Sequence, residues 1–406
     1  MSILSQNLSN DSDASPTDGD KYKSDVVISK KQLPNYILSA MLSVTRIGVG
    51  VGVSAIAVYL IPSGPYGPLK NLSYALTAWD GGWYRYVAMA GYGFPNSRAL
   101  FPIYPILMHL LALVVRNYVV SAEIISWVSL AFATNGIIVL IEKLGGNRKS
   151  TIVAALSLLW FPESVFFTAG YAESFYLACL LWTIIYIIEK RWCLTAITGF
   201  FAVGTRPEGA IIVVAIFVGL IIAKAPWYKI LIIPTIAGSS LVAYMTYLWV
   251  KYKQPLAFVT VQSYWDRKKT WPLGAEFSSM YRMLTRTLVW PGKADAFNAY
   301  SLYLTDDFGA FLATLAAAYC IYLTFKDRVY LPIAIFGGII IFVAYTSAPY
   351  GGVSPDVAGR IAMCVPAVYV LLSKIKIKYF LIFVLPIFLV SSIAWQVAFS
   401  SGRWIT

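Results

Sequence analysis

Charged side chains are scarce in this chain of 406 residues. Asp, Glu, Lys and Arg make up 13% of it, against about 25% in a typical soluble domain. Hydrophobic residues make up 59%, and apolar runs of about 20 residues, each long enough to cross a hydrocarbon core, recur along the chain. This balance excludes an ordinary soluble protein and predicts an all-α polytopic membrane protein.

Cysteine and histidine are also few. The four cysteines lie in or beside apolar segments without CxxC spacing, which predicts small core residues and neither a disulfide framework nor a zinc site. The single histidine, His109, excludes a His-rich site, and we expect no metal and no cofactor. The net charge is +13, and no nucleic-acid-binding motif occurs. We therefore expect the excess of Lys and Arg to lie in cytoplasmic loops or to bind anionic lipid or phosphate, and we expect no nucleic-acid partner.

Two regions differ in polarity. Residues 1–32 are polar, which excludes a signal peptide and predicts a disordered cytoplasmic tail. Residues 33–406 predict a single transmembrane domain of about eleven helices. The apolar segments lie at residues 35–62, 119–141, 150–168, 171–188, 193–205, 210–223, 230–250, 308–325, 329–346, 361–373 and 379–398.

The topology depends on residues 101–116, which carry two prolines and are short for a span. If this segment does not cross, the short loops rich in Lys and Arg all fall on the cytoplasmic side, as the positive-inside rule requires. If it crosses, every later loop changes side. We therefore predict an amphipathic or re-entrant helix on the outer face, within an external loop spanning about 63–118. A second external loop spans about 251–307.

The second external loop is basic, with Arg267, Lys268 and Lys269 in one run. Charge governs long loops only weakly, so the run has a simple topological explanation. A basic cluster beside a membrane is also what an anionic lipid phosphate would bind. The residues alone leave both interpretations open.

The first external loop contains the run Trp79-Asp80-Gly81-Gly82-Trp83-Tyr84. A helix over 79–90 would place Trp79 and Trp83 on one face, at the depth that aromatic rings favour. Asp80 would then lie near the headgroups, where the two glycines let a substrate approach the backbone. The alternative is an anchor helix on the membrane surface for which Asp80 is only the N-cap.

Two further polar elements are predicted at the outer ends of spans. Glu173 begins a helix, where a carboxylate either caps the helix or belongs to a site. Arg206 and Glu208 interrupt an apolar stretch within Thr205-Arg206-Pro207-Glu208-Gly209. They either pair with each other or leave Arg206 to hold a phosphate.

Later residues offer groups that are typical of sugar and phosphate sites. Gln262, Trp265 and Arg267 supply an amide, an aromatic face and a guanidinium, although an ordinary loop helix at the membrane surface would also explain them. Arg360 opens a span, where a snorkelling membrane anchor is the simpler interpretation.

Five of these segments, taken in order, resemble the PIG-V family, the GPI mannosyltransferase 2 enzymes and their prokaryotic relatives. WDGGWYRYVAMAGYG…FPIYP is similar to the first external loop of that family, and FPESVFFTAGYAES to its Pro-x-Ser…Tyr-x-Glu-Ser stretch. TRPEG resembles the Arg-x-x-Gly turn. AFVTVQSYWDR and GRIAMCVP are similar to the Gln…Trp and Arg…Pro elements. Together they cover about residues 75–370.

The resemblance implies a GT-C architecture, with external juxtamembrane helices in the first loop. It also implies a glycosyltransferase that moves a sugar, expected to be mannose, from a polyprenyl (dolichyl) phosphate to a glycan or glycolipid acceptor on the non-cytoplasmic face, with inversion. Asp80 would be the general base. The donor phosphate would meet Arg206, Arg267, Lys268 and Arg360. The substrates would contact Trp79, Trp83, Tyr84, Tyr104, Glu173, Glu208, Gln262 and Trp265.

Two other functions compete with this one. A transporter or lipid-linked-saccharide flippase would place charges at mid-membrane and show inverted internal repeats. No repeat is evident, and the charges lie at span ends apart from Arg46 and the Arg206–Glu208 interruption. A scaffold subunit would tolerate alanine at the polar loop residues. The sequence leaves open the acceptor, the sugar and whether Glu173 orients Asp80 or binds acceptor hydroxyls.

Overall fold

The computed structural model describes residues 33–63, 71–265, 267–269, 300–345, 347–349 and 358–402. The predicted tail, residues 1–32, lies outside the described residues, as does the part of the second long loop from 270 to 299.

Helices make up most of the described chain. They are α1 (Asn35–Leu60), α2 (Leu72–Leu76), α3 (Asp80–Ala90), α4 (Ile103–Val115), α5 (Tyr118–Lys143), α6 (Arg148–Leu159), α7 (Val165–Thr168), α8 (Glu173–Ile188), α9 (Trp192–Val203), α10 (Gly209–Ile222), α11 (Trp227–Tyr252), α12 (Ala257–Thr260), α13 (Tyr300–Thr324), α14 (Leu331–Tyr345), α15 (Ala358–Ala362), α16 (Pro366–Leu372), α17 (Ile377–Tyr379) and α18 (Leu385–Ser400). Tight 3-10 turns cover Pro95–Ala99, Val261–Trp265 and Arg328–Tyr330, and a π-helical turn, Phe380–Val384, joins α17 to α18.

Among the described residues, five helices are long and apolar enough to span a membrane. They are Asn35–Leu60, Tyr118–Lys143, Trp227–Tyr252, Asp307–Thr324 and Ile377–Ser400. Shorter apolar helices, including α8, α9 and α10, pack among them. The prediction of an all-α integral membrane protein is confirmed.

Prolines divide two of the predicted segments. Segment 150–168 breaks after Leu159, because Pro162 lacks an N–H for the next turn, and only the single turn α7 follows. Segment 361–373 is likewise divided, and Pro366 opens α16 at a position where its missing N–H costs nothing. The segment 361–373 was predicted as one continuous span, which is wrong.

The ambiguous segment 101–116 forms α4, a helix of 13 residues. At 1.5 Å per residue it is about 20 Å long, too short to cross a core of about 30 Å. Arg116, in the left-handed conformation with φ 57°, turns the chain directly into α5, and α4 packs along α5. The apolar side chains of Ile106, Leu110, Leu113 and Val114 are exposed, as expected for a helix that faces lipid without spanning.

Two short strands pair with each other although they lie far apart in the sequence. β1 (Arg267–Lys269) pairs antiparallel with β2 (Ser347–Pro349), with Arg267 opposite Pro349 and Lys269 opposite Ser347. The basic run is therefore tied to the segment that leads to α15.

Arg46 is a buried cation near the middle of α1. Its Nε donates to the Leu159 carbonyl at 2.9 Å, and its Nη2 donates to Ser164 Oγ at 3.2 Å and to Gln396 Oε1 at 3.3 Å. The guanidinium also lies 5.2 Å from the Trp160 ring centre. The Arg46 guanidinium thus donates a hydrogen bond to a carbonyl at the C-terminal end of α6 and links that end to α1 and α18.

The two ends of the bundle carry different polar groups. At one end Lys143 pairs with Glu189 at 2.8 Å, and Asn35 bonds Glu142 at 2.7 Å. α5 and α8 end there, with Lys143 and Ile188. Both helices begin at the other end, with Tyr118 and Glu173. Asp80 and Glu173 lie at this second end, linked through one arginine.

Candidate active site

Asp80 begins α3, and the residue before it is strained. Trp79 has φ 56° and ψ −119°, a conformation that a bulky residue rarely adopts and that costs about 1–3 kcal/mol. Such strain persists only where the surrounding structure imposes it, and it is common at functional sites. It aims the first turn of α3, where the positive end of the helix dipole favours the Asp80 carboxylate.

The two glycines after Asp80 have different surroundings. A Cβ at Gly81 would lie 3.3 Å from the Gly170 carbonyl oxygen and from the Tyr171 ring, whereas a Cβ at Gly82 would meet nothing within 4 Å. Gly81 therefore allows α3 to pack against the chain reversal before α8. The open space expected beside Asp80 lies at Gly82.

Arg360 joins the carboxylates of two distant segments. Its Nη1 donates to Asp80 Oδ2 at 2.6 Å, and its Nε donates to Glu173 Oε1 at 2.5 Å. Arg360 is only 6% exposed, so it is not a snorkelling anchor. Arg360 was predicted to bind the donor phosphate. In this structure it is already bonded to two carboxylates.

Arg206 is held in the same way by its own turn. Its Nε and Nη2 donate to the two carboxylate oxygens of Glu208, both at 3.1 Å, and its Nη1 donates to Glu173 Oε1. The pairing of Arg206 with Glu208 that the sequence left open is thus present. Glu173 is fully buried and bonds both guanidiniums through one oxygen.

These contacts form one ion network in the order Glu208, Arg206, Glu173, Arg360, Asp80. Three carboxylates face two guanidiniums. Burial alone would lower the pKa of Arg206, but the Glu208 and Glu173 carboxylates raise it well above its usual value. For Arg360 burial acts in the same direction, and Glu173 and Asp80 raise its pKa. Both guanidiniums therefore stay charged.

Two aromatic rings seat Arg360. Its guanidinium carbon lies 4.7 Å from the Phe166 ring centre and 4.9 Å from the Tyr171 ring centre, within cation–π range. The Tyr171 hydroxyl donates to the Ala78 carbonyl at 2.9 Å, just before the strained Trp79. Sequence reasoning did not select either ring, although both lie inside the family-like stretch FPESVFFTAGYAES.

The network lines a small cavity of about 110 Å³. Its polar walls are Asp80, Tyr84, Arg206, Glu208, Gln262 and Arg360, and its apolar walls are Ala99, Leu100, Phe101, Pro207 and Ile361. Asp80 keeps one oxygen, Oδ1, without a hydrogen bond from the described residues, and its side chain is 22% exposed. A proton acceptor and two cations therefore meet at one opening.

An apolar groove of about 490 Å³ lies beside this cavity. It is walled by α3, α4, α9 and α11 and lined by Val87, Ala88, Gly91, Tyr92, Pro102, Ile103, Pro105, Ile106, His109, Leu110, Phe200, Ser240, Ala243, Tyr244 and Tyr247. Tyr84 lines the polar cavity, and Val87 and Ala88, one turn further along α3, line the groove. The groove and the cavity thus share a wall.

Several predicted site residues lie elsewhere. Tyr104 is fully buried, and its hydroxyl bonds the Ala122 carbonyl and Ser126 Oγ at 3.1 and 2.9 Å. It packs against Tyr84, whose ring centre is 5.0 Å away, and it does not line the polar cavity. The substrate contact predicted for Tyr104 stays a prediction. Burial raises the pKa of Tyr84 above its usual value.

Both tryptophans of the first loop also lie outside the cavity lining. Trp79 packs partly against the main hydrophobic core, and Trp83 packs edge-on against Tyr86 and Phe94. The side chains of Trp265, Arg267 and Lys268 lie outside the described part of the structure. In that part no metal-binding group of three or more His, Cys, Asp or Glu occurs, and metal-free chemistry stays a prediction.

Comparison with solved structures finds an oligosaccharyltransferase from Archaeoglobus fulgidus, crystallised in complex with Zn and sulfate. The two chains are 12% identical with a TM-score of 0.45, and the match covers 91% of this chain and 53% of the other. This chain therefore spans about half the length of that protein. No family model and no curated protein matches the chain.

Proposed function

We propose that this protein is a membrane glycosyltransferase of GT-C type that takes a sugar from a polyprenyl phosphate. One observation carries the proposal. Five family-like segments, far apart in the sequence, contribute Asp80, Glu173, Arg206 with Glu208, Gln262 and Arg360 to one ion network and its cavity. A protein that catalyses no reaction would have no evident need to bring these residues together around the partly exposed carboxylate of Asp80.

The proposed reaction uses these groups in defined roles. Asp80 accepts the proton of an acceptor hydroxyl while that oxygen forms a bond to the anomeric carbon of the sugar. The bond between that carbon and the phosphate oxygen breaks on the opposite face, which inverts the configuration. The electron pair stays with the lipid phosphate, whose negative charge is stabilised by the nearby guanidiniums. No general acid is needed for a phosphate leaving group.

The apolar groove provides a place for the lipid. A polyprenyl chain would lie against Val87 and Ala88 while its phosphate reaches past Tyr84 to the cavity. Burial of apolar surface supplies the affinity, at about 25 cal/mol per Å². The finer proposal follows the resemblance: the donor is dolichyl phosphate mannose, the acceptor is a glycan or glycolipid, and the site faces away from the cytoplasm.

The transporter alternative predicted a charge at mid-membrane. Arg46 lies there, but it is bonded to a helix-end carbonyl, a serine and a glutamine, all fixed in the bundle. That arrangement suits a structural link better than a moving charge.

The test is transfer by purified protein. Wild type is expected to move labelled mannose from dolichyl phosphate mannose to a lipid or glycan acceptor, and Asp80→Asn should lower the rate by about 10²–10⁴-fold. Glu142→Gln, at the far end of the bundle, should leave the rate unchanged. A folded Asp80→Asn protein that transfers sugar at the wild-type rate would show that Asp80 is not the base. A panel of glucose and mannose donors would identify the sugar.

A further inference from the structure

We propose that the donor phosphate displaces Asp80 from Arg360, so that the base is released only when the donor is bound. The inference rests on the proposed function and adds an order of binding to it. The observation behind this inference is that both guanidiniums are already paired with carboxylates. Every nitrogen of Arg206 and of Arg360 faces a carboxylate oxygen of Glu208, Glu173 or Asp80.

An anion that enters this cavity meets cations that are already paired. The network also holds one more carboxylate than guanidiniums, so a phosphate would add negative charge to a cluster that already carries an excess. Like charges at hydrogen-bonding distance in a poorly hydrated site repel strongly. One carboxylate must therefore give way before the phosphate can bind.

Asp80 is the carboxylate best able to leave. Glu173 is fully buried and shared by both guanidiniums, and Glu208 holds Arg206 through two bonds. Asp80 has a single contact to Arg360, and its side chain is the most exposed of the three, at 22% against 0% for Glu173 and 12% for Glu208. Asp80 already lines the cavity of about 110 Å³, which gives its carboxylate room to turn.

Arg360 does not need to move during this exchange. Its guanidinium stays on the Phe166 and Tyr171 rings and keeps its bonds to Glu173. Only the partner of Nη1 changes, from Asp80 Oδ2 to a phosphate oxygen. Oδ2 then no longer accepts a bond from a cation, and it joins Oδ1, which already lacks a hydrogen bond from the described residues, as an acceptor for the substrate hydroxyl. The donor would then bind before the acceptor.

Binding measurements on purified protein test the exchange without needing turnover. The probe is farnesyl phosphate, with farnesol and inorganic phosphate as the two partial probes. Because Asp80 competes with the phosphate, Asp80→Asn should bind farnesyl phosphate at least about fivefold more tightly than wild type. Farnesol should bind wild type and Asp80→Asn equally. Glu142→Gln should bind all three probes as wild type does, and Asp80→Ser provides a second variant should the asparagine protein fold poorly.

The outcomes separate this inference from the proposed function. If wild type transfers sugar but neither Asp80 variant binds farnesyl phosphate more tightly, the phosphate sits elsewhere, for instance on the basic run at Arg267, and the exchange is overturned. If inorganic phosphate alone shows the same gain, the exchange stands and needs no lipid chain. If no form binds farnesyl phosphate and wild type transfers nothing, both proposals fall.

Discussion

Glu173 holds the site together at the scale of single residues. One of its oxygens, Oε1, accepts from both Arg206 and Arg360, and the other, Oε2, is buried without a hydrogen bond from the described residues. Its carboxylate is therefore the common counter-charge of two guanidiniums that come from different parts of the chain. This position favours a role in orienting Asp80 through Arg360 over a direct contact with acceptor hydroxyls.

Removing the charge of Glu173 should be costly. Glu173→Gln removes the carboxylate that bonds both buried guanidiniums, which then repel each other, and breaking a buried ion pair in this way costs about 3–5 kcal/mol. Glu189→Gln is the matched control, because Glu189 pairs with Lys143 at the partly exposed end of the bundle, and such pairs contribute about 1 kcal/mol or less. Thermal unfolding in detergent measures both. Equal melting temperatures for the two variants would contradict the central role of Glu173.

The site residues could be predicted from the sequence, but their pairing could not. Asp80 and Glu173 each begin a helix, and Arg360 lies in the short helix α15. Charged residues at such places in an apolar chain are recognisable. Arg360 meets Glu173 across 187 positions and Asp80 across 280, and no local pattern encodes contacts of that range. The burial of Tyr104 could not be predicted either, because the packing of α4 on α5, which turns its ring inward, is likewise set by tertiary contacts.

At the scale of elements, α1 depends on a glycine at its contact with Arg46. A Cβ at Gly50 would lie 2.7 Å from Arg46 Nη1 and 3.4 Å from Gln396 Oε1. The guanidinium cannot easily withdraw, because its other nitrogens are bonded to Leu159 and Gln396. Gly52, half a turn away on the same helix, has nothing within 4 Å of such a Cβ.

Alanine at these two glycines should have opposite effects. Gly50→Ala should lower stability by roughly 1–3 kcal/mol, because it overpacks a fixed contact. Gly52→Ala should raise stability by about 0.5–1 kcal/mol, because alanine favours the helix without touching a neighbour. Melting temperatures of the two variants decide the matter. Shifts of the same sign would mean that Arg46 is not held as described.

Hydropathy located the helices well but not their interruptions. The segment 150–168 is apolar on average, and Pro162 with the polar Glu163 and Ser164 signals that α6 stops at Leu159. That interruption matters, because the chain between α6 and α8 carries Phe166 and Tyr171 to Arg360. Hydropathy averaged over a window of residues does not resolve such an interruption, although the tertiary contacts of the bundle depend on it.

At the scale of the whole molecule, the two ends of the bundle are chemically distinct. Lys143, Arg148 and Glu189 gather at one end, and the ion network of Asp80 lies at the other. The positive-inside rule predicts that the first end faces the cytoplasm. The site would then open on the opposite face, as the proposed donor chemistry requires.

Cysteine labelling tests this orientation. Cys193 is the exposed one of the four cysteines and follows Arg191, so a membrane-impermeant maleimide should reach it only from the cytoplasmic side. In a Cys193→Ser background, Lys251→Cys, in the exposed last turn of α11, should react only from the other side. Labelling of both positions from the same side would overturn the predicted topology and the predicted side of the site.

Trp395 and Phe399 of α18 pack beneath the rings that seat Arg360. Phe399 lies 5.9 Å from Phe166 and 5.7 Å from Tyr171, and Trp395 lies 6.2 Å from Phe166, between ring centres. These two residues are synthesised after every charged member of the network. The nascent chain therefore holds all of its charged network residues before the aromatic rings that support Arg360 are complete, and the network gains that support only once α18 is in place.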